Sequence, residues 1–101
     1  LQETQMGTGH ALQCTKQLWH AEDILVMNGD HPLTSNTLLA TFIEAHITSG
    51  NQISILTAQA DELCNYGRIV HENGLTRIVE AVDFQKNPHD YPLVNAGFYI
   101  I

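Results

Sequence analysis

The chain has 101 residues, a formal charge of −7, 44% hydrophobic and 15% charged residues. That is one domain's length, with room for a small core, and an ordinary globular composition without repeats or low-complexity tracts. Its only strong cations are Lys16, Arg68, Arg77 and Lys86, which argues against a nucleic-acid surface, and no apolar run approaches the ~18 residues of a membrane-spanning helix.

The two cysteines, Cys14 and Cys64, lack metal-type spacing and read as free thiols of a cytoplasmic protein with no signal peptide. The chain opens at Leu1 and stops inside the apolar run Phe98–Ile101 without a turn or cap. Both ends read as cuts through a larger domain.

In chain order, Gly9 to Trp19 is predicted helical, with Ala11, Leu12, Thr15, Leu18 and Trp19 on one face. It follows the Gly7-Thr8-Gly9 turn. Ile24 to Met27 reads as a buried parallel strand, and Asn28-Gly29-Asp30-His31-Pro32 as a loop that Pro32 keeps irregular. Thr34 or Ser35 caps a second helix whose face is Leu38, Leu39, Phe42, Ile43 and Ile47, and Gly50 ends it. Gln52 to Thr57 is a strand. Tyr66 to His71 and Leu75 to Val82 flank Glu72-Asn73-Gly74, the strongest short hairpin signal. Phe84 to Pro92 is a loop, and Leu93 to Ile101 a last strand. This order predicts an α/β domain with a mostly parallel sheet, helices and a hairpin extension.

Several residues could carry chemistry, each with an ordinary alternative. Asp30, just after an apolar strand, could offer magnesium one carboxylate beside substrate phosphates, or could cap the loop before Pro32. Gly7, Thr8 and Gly9 could bind an anion or a carbonyl oxygen at a helix start, with Thr8 also capping, or form a plain turn. Glu80 could accept two sugar hydroxyls or face solvent on an alternating strand. Asn95 could give a sugar an amide or make a turn. Gly67 could expose backbone to a ligand or form a bulge. The six histidines show no ligand spacing. Most should lie on the surface, with His10 near the Gly-Thr-Gly turn and His31 beside Asp30. Cys14 is expected to pack on its helix face. No phosphate cradle is present.

Taken together, these segments resemble the uridyltransferase domain of the bacterial bifunctional N-acetylglucosamine-1-phosphate uridyltransferase/glucosamine-1-phosphate acetyltransferase. The likeness runs through Leu1-Gln2, Gly7-Thr8-Gly9-His10-Ala11, Asp23-Ile24-Leu25, Asn28-Gly29-Asp30 and Pro32-Leu33. Tyr66-Gly67-Arg68-Ile69, Glu72-Asn73-Gly74, Ile78-Val79-Glu80 and Asn95-Ala96-Gly97 continue it in the same order. Nearly the whole chain is covered, as a central piece of a Rossmann-like nucleotidyltransferase domain.

The resemblance implies roles. Gln2, Gly7 and Thr8 would hold uracil. Asn28 and Gly29 would lie along the nucleotide, and Asp30 would bind Mg2+ as the catalytic carboxylate. Gly67, Glu80 and Asn95 would contact N-acetylglucosamine. The implied reaction joins UTP and N-acetylglucosamine 1-phosphate into UDP-N-acetylglucosamine for peptidoglycan synthesis, in a parent enzyme that is trimeric through another domain. The family's basic phosphate loop is expected before Leu1. Asn28 replaces a frequent aromatic, Leu63-Cys64-Asn65 the usual approach to Tyr66, and Val82 a frequent Lys. The 101-residue chain alone is therefore expected to be inactive, and its cut sheet edges could pair in a homo-oligomer.

Overall fold

The structure, a computed structural model, describes residues 2–60 and 65–101. Leu1 of the resemblance, Leu63 and the thiol of Cys64 lie outside the described residues. The elements in chain order are α1 (Thr8–Gln13), β1 (Leu25–Met27), α2 (Asn36–Ser49) and β2 (Ser54–Gln59). The hairpin β3 (Arg68–Glu72) and β4 (Leu75–Val79) follows, and β5 (Leu93–Ile100) comes last. Short 3-10 turns occupy Lys16–Leu18, Ala81–Asp83 and Pro88–Asp90.

Local signals account for the ends of α2 and for the hairpin. The Ser35 hydroxyl accepts from the Leu38 amide at 3.1 Å, and Gly50 closes the helix at φ 62°. At the hairpin turn both Asn73 and Gly74 take positive φ, 53° and 75°. That pair of conformations matches the right-handed twist of the flanking strands. The predicted first helix does not run to Trp19. It ends at Gln13, because Thr15 turns its hydroxyl back onto the Leu12 carbonyl at 2.7 Å and the chain tightens into a 3-10 turn. A side chain that bonds its own backbone in this way competes with the helix ladder. Its supposed apolar face is not core: nothing on α1 is buried and Leu18 is 74% exposed. Cys14, expected to pack, is exposed at the end of this helix.

The sheet departs from the expected mostly parallel, Rossmann-like arrangement. Among the described residues every pairing is antiparallel. β5 is the central strand. Its Tyr99 lies between Val26 of β1 and Ile55 of β2, and its Val94 between Ala58 of β2 and Arg68 of β3. β2 therefore runs along one edge of β5, while β1 and β3 share the other. β1 and β2 run in the same direction, since each is antiparallel to β5, but they do not pair as the alternation of strand and helix predicts. That alternation carried no information about a later strand entering between them with the opposite sense.

The core is small and lies on one face of the sheet. Phe42 of α2 packs with Phe98 and Ile100 of β5, and Leu25, Leu39, Leu56 and Ala96 pack against them. The stripe that α2 buries is Phe42 and His46, with Leu39 partly covered. Of the predicted face, Leu38, Ile43 and Ile47 are exposed. His46, expected at the surface, is buried. Its Nδ1 lies 2.8 Å from Ser54 Oγ, and its Nε2 3.4 Å from Asp23 Oδ1. The imidazole thus ties α2 to the approach of β1 and the start of β2. Both ring nitrogens have partners, as a buried polar group requires.

A second anchor holds the loop between β4 and β5. Glu72 takes hydrogen bonds from Lys86 and Tyr91 and lies 3.3 Å from Arg77 Nη2. Phe84 stacks edge-on against Tyr91 at 5.6 Å, and Arg68 Nη1 donates to the Tyr91 carbonyl at 3.1 Å. The loop returns to the sheet at a fixed place, with Glu80 at its start and Asn95 just beyond its end. No helix of the described residues is long and apolar enough to cross a membrane.

Candidate functional site

Period-two alternation gives β5 two faces. Ala96, Phe98 and Ile100 turn toward α2. Asn95, Gly97, Tyr99 and the following Ile101 line a cavity of about 570 Å³ on the opposite face. An antiparallel sheet tolerates one open face, and this volume suits a small molecule.

The cavity draws on segments far apart in sequence. Thr8, Gly9 and Leu12 come from α1, Val26 and Asn28 from β1 and its exit. Tyr66 and Gly67 precede β3, and Glu80 follows β4. Gly67 and Glu80 meet because Arg68 pairs with Val79, which makes their neighbours adjacent across the hairpin. A Cβ on Gly67 would stand 2.9 Å from Ile78 Cγ2 and 3.6 Å from Glu80 Oε2, so glycine permits this approach. Gly97 is the second required glycine. It has φ 75°, and a Cβ there would collide with the Asn28 side-chain amide. The Asn28 N–H also donates to the Gly97 carbonyl at 3.3 Å.

The polar groups have distinct states. Among the described residues the Glu80 carboxylate has no hydrogen-bond or ion-pair partner, and it stands exposed at the cavity as an acceptor. The Asn95 side chain is partly committed: Oδ1 accepts from the Gly97 amide at 3.0 Å and Nδ2 donates to the Tyr99 hydroxyl at 2.5 Å. Leu12, Val26, Ile53 and the Tyr99 ring supply apolar wall. A mostly apolar wall with a few placed polar groups can hold a sugar by its flat face and its hydroxyl edge.

Of the residues singled out from sequence, Thr8, Gly9, Asn28, Gly67, Glu80 and Asn95 share this cavity. Gln2 and Gly7 form a neighbouring cluster. Gln2 Nε2 donates to the Gly7 carbonyl at 3.3 Å and lies 2.8 Å from His10 Nδ1. The helix cap is Gly7, at φ 94° and without a side-chain bond, so Thr8 is the first helical residue rather than the cap.

Asp30 stands apart from the cavity. β1 ends at Met27, and the turn through Gly29 carries Asp30 to a mainly apolar groove of about 680 Å³ that Phe98, Leu38 and Leu56 also line. Its carboxylate is exposed and lies 3.5 Å from His31 Nε2, while the His31 ring packs at a tilt against Phe98, with centroids 5.2 Å apart. Asn95 and Tyr66 border both hollows. No group of three or more His, Cys, Asp or Glu gathers as a metal cage among the described residues. A lone accessible carboxylate does fit an ion that keeps its waters and takes its other ligands from phosphates. Tyr99 is the cavity residue that sequence reasoning missed. Its signal was available, since it is four residues from Asn95 on an alternating strand.

Fold and cavity together define a mixed α/β domain with an open antiparallel sheet and a small-molecule-sized hollow on its uncovered face. No protein-family model matches the chain. Over nearly its whole length it is similar to proteins named Bifunctional protein GlmU. Identity is 42% over 101 residues with that of Fervidobacterium nodosum and 35% over 101 residues with that of Thermotoga petrophila. It is 36% over 102 residues with that of Clostridium tetani. These matches take in 99%, 99% and 97% of the chain, and 22% of each relative's length.

Proposed function

We propose that the chain is the sugar- and nucleotide-holding part of a uridylyltransferase domain that makes UDP-N-acetylglucosamine from UTP and N-acetylglucosamine 1-phosphate, in the cytoplasm and for peptidoglycan synthesis. One observation carries the reading: Asn28, Gly67, Glu80 and Asn95 come from separate segments and line a single cavity. Similarity over nearly the whole chain to proteins named Bifunctional protein GlmU supports it.

In this reading Gln2, Gly7 and Thr8 meet the uracil, Asn28 and Gly29 follow the nucleotide, and Gly67, Glu80 and Asn95 hold the sugar. Asp30 would hold Mg2+, which supplies positive charge against phosphate oxygens. With a net charge of −7, the chain alone offers the triphosphate little counter-charge. The isolated chain should therefore bind the product but not form it.

Calorimetry of the chain with UDP-N-acetylglucosamine and magnesium tests this, paired with a turnover assay. Saturable binding without turnover is expected, and Asp30→Ala should weaken the magnesium-dependent part. Turnover by the pure chain would overturn the expected inactivity, and no binding at all would sink the proposal. The position of Asp30 outside the cavity favours a second reading, a non-catalytic nucleotide-sugar module. Binding that ignores both magnesium and Asp30→Ala would select it. A related nucleotidyltransferase with another sugar or base would bind a different nucleotide sugar more tightly.

A further inference from the structure

We infer that Tyr99 is a specificity-determining residue, and that its phenolic O–H donates to the acetamido carbonyl oxygen of the bound sugar. The inference rests on the nucleotide-sugar reading of the cavity and deepens it.

The backbone N–H of Gly97 can only donate, and it lies 3.0 Å from one end of the Asn95 amide. That end must be the oxygen. The amide nitrogen is thereby turned to the Tyr99 hydroxyl at 2.5 Å. An amide NH2 only donates, so the phenol oxygen must accept, and its own proton has to point elsewhere. Among the described residues that proton has no acceptor. Tyr99 is half-buried, borders the cavity, and lies on the same strand face as Asn95.

Two donors result, side by side: the phenol O–H and the second amide hydrogen of Asn95. A pair of donors is matched best by an oxygen that only accepts. Sugar hydroxyls bring their own proton and are better served by the free carboxylate of Glu80 on the same cavity. A phosphate oxygen also only accepts, but it would meet that carboxylate and the chain's net charge of −7. An acyl carbonyl is neutral, and its methyl can rest on the apolar wall of Leu12 and Ile53. The acetamido group of an N-acetylated sugar meets these conditions, whereas the hydroxyl of the unsubstituted sugar does not.

The test is calorimetry of the chain and its Tyr99→Phe variant with UDP-N-acetylglucosamine and with UDP-glucose, alongside a thermal melt. Loss of one hydrogen bond at a site built to make it should cut affinity for the acetamido ligand by about tenfold. Affinity for UDP-glucose should change far less, so the ratio of the two falls. An equal loss for both ligands would mean that Tyr99 only holds Asn95 in place, and would overturn the inference. No change for either would overturn it too. A wild-type chain that binds neither ligand would overturn the nucleotide-sugar reading as well. Binding by wild type with an unchanged ratio in the variant would leave that reading standing and remove this one.

Discussion

The two faces of β5 are made from one stretch of chain yet are built to opposite rules. Ala96, Phe98 and Ile100 meet α2 and form most of the core with Phe42. Asn95, Gly97 and Tyr99 face an open cavity with polar groups that are unpartnered or only half-committed. Apolar burial is what drives folding, so the first face should set stability. Unsatisfied donors and acceptors add nothing to the empty fold, so the second should set binding. The difference teaches where to expect each effect, and substitutions can break it.

Phe42→Ala should have the largest effect. A buried phenylalanine cut to alanine costs about 3–5 kcal/mol, against a typical total of ~5–15 kcal/mol. Urea unfolding should show a midpoint well below that of the wild type, falling to near zero if the wild type sits at the low end of that range. A loss well under ~1 kcal/mol would show that α2 is not the cover that holds this sheet.

Gly97→Ala should come next, because Gly97 sets both a backbone conformation and the cavity wall against Asn28. Its φ of 75° is costly for any side chain, and the new Cβ would strike the Asn28 amide. Strain of this kind costs about 1–3 kcal/mol, and binding of UDP-N-acetylglucosamine should fall with it. Lost stability with intact affinity would mean that the contact between Gly97 and Asn28 does not shape the cavity.

Glu80→Gln isolates the open face. The melting temperature should stay unchanged, since the Glu80 carboxylate has no partner to lose among the described residues. Hydrogen bonds to a charged group are worth about 1.5–3 kcal/mol, so affinity for the nucleotide sugar should drop roughly ten- to a hundredfold. A shifted melt with unchanged affinity would make this carboxylate structural and undo the division of labour.

The legible parts of the molecule were those decided within a few residues. The Ser35 and Gly50 caps and the Asn73-Gly74 turn are local chemistry, and each formed where read. What depends on distant partners was not legible. His46 reads as a surface residue until Ser54 and Asp23 supply both of its hydrogen bonds. The direction of the sheet depends on β5 entering between β1 and β2, which no spacing encodes. The site divides the same way: Gly67, Glu80 and Asn95, grouped by the resemblance and not by any spacing of their own, line one cavity once the hairpin register and β5 bring them together. Asp30 leaves the group because the strand before it stops at Met27 and the chain turns over its end.

The smallest effect lies off both faces of β5, where the hairpin meets the loop between β4 and β5. Hydrogen bonds from Lys86 and then Tyr91 hold the Glu72 carboxyl down from its usual 4.5 to about 2, and the same contact raises Lys86. A carboxyl with a folded pKa below its unfolded one binds fewer protons when folded. Its contribution is therefore full above about 4.5 and fades as pH falls toward 2. Melting temperature should decline through that interval, and Glu72→Gln should flatten part of the decline. Added salt should shrink the difference between wild type and variant, because these charges sit at the surface. An identical slope in the variant would assign the acid sensitivity to other carboxylates. If acid also releases nucleotide sugar in that interval in wild type but not in Glu72→Gln, then the loop anchor reaches the cavity through Glu80 and Asn95. In that case the open face of β5 would depend on contacts beyond its own strand.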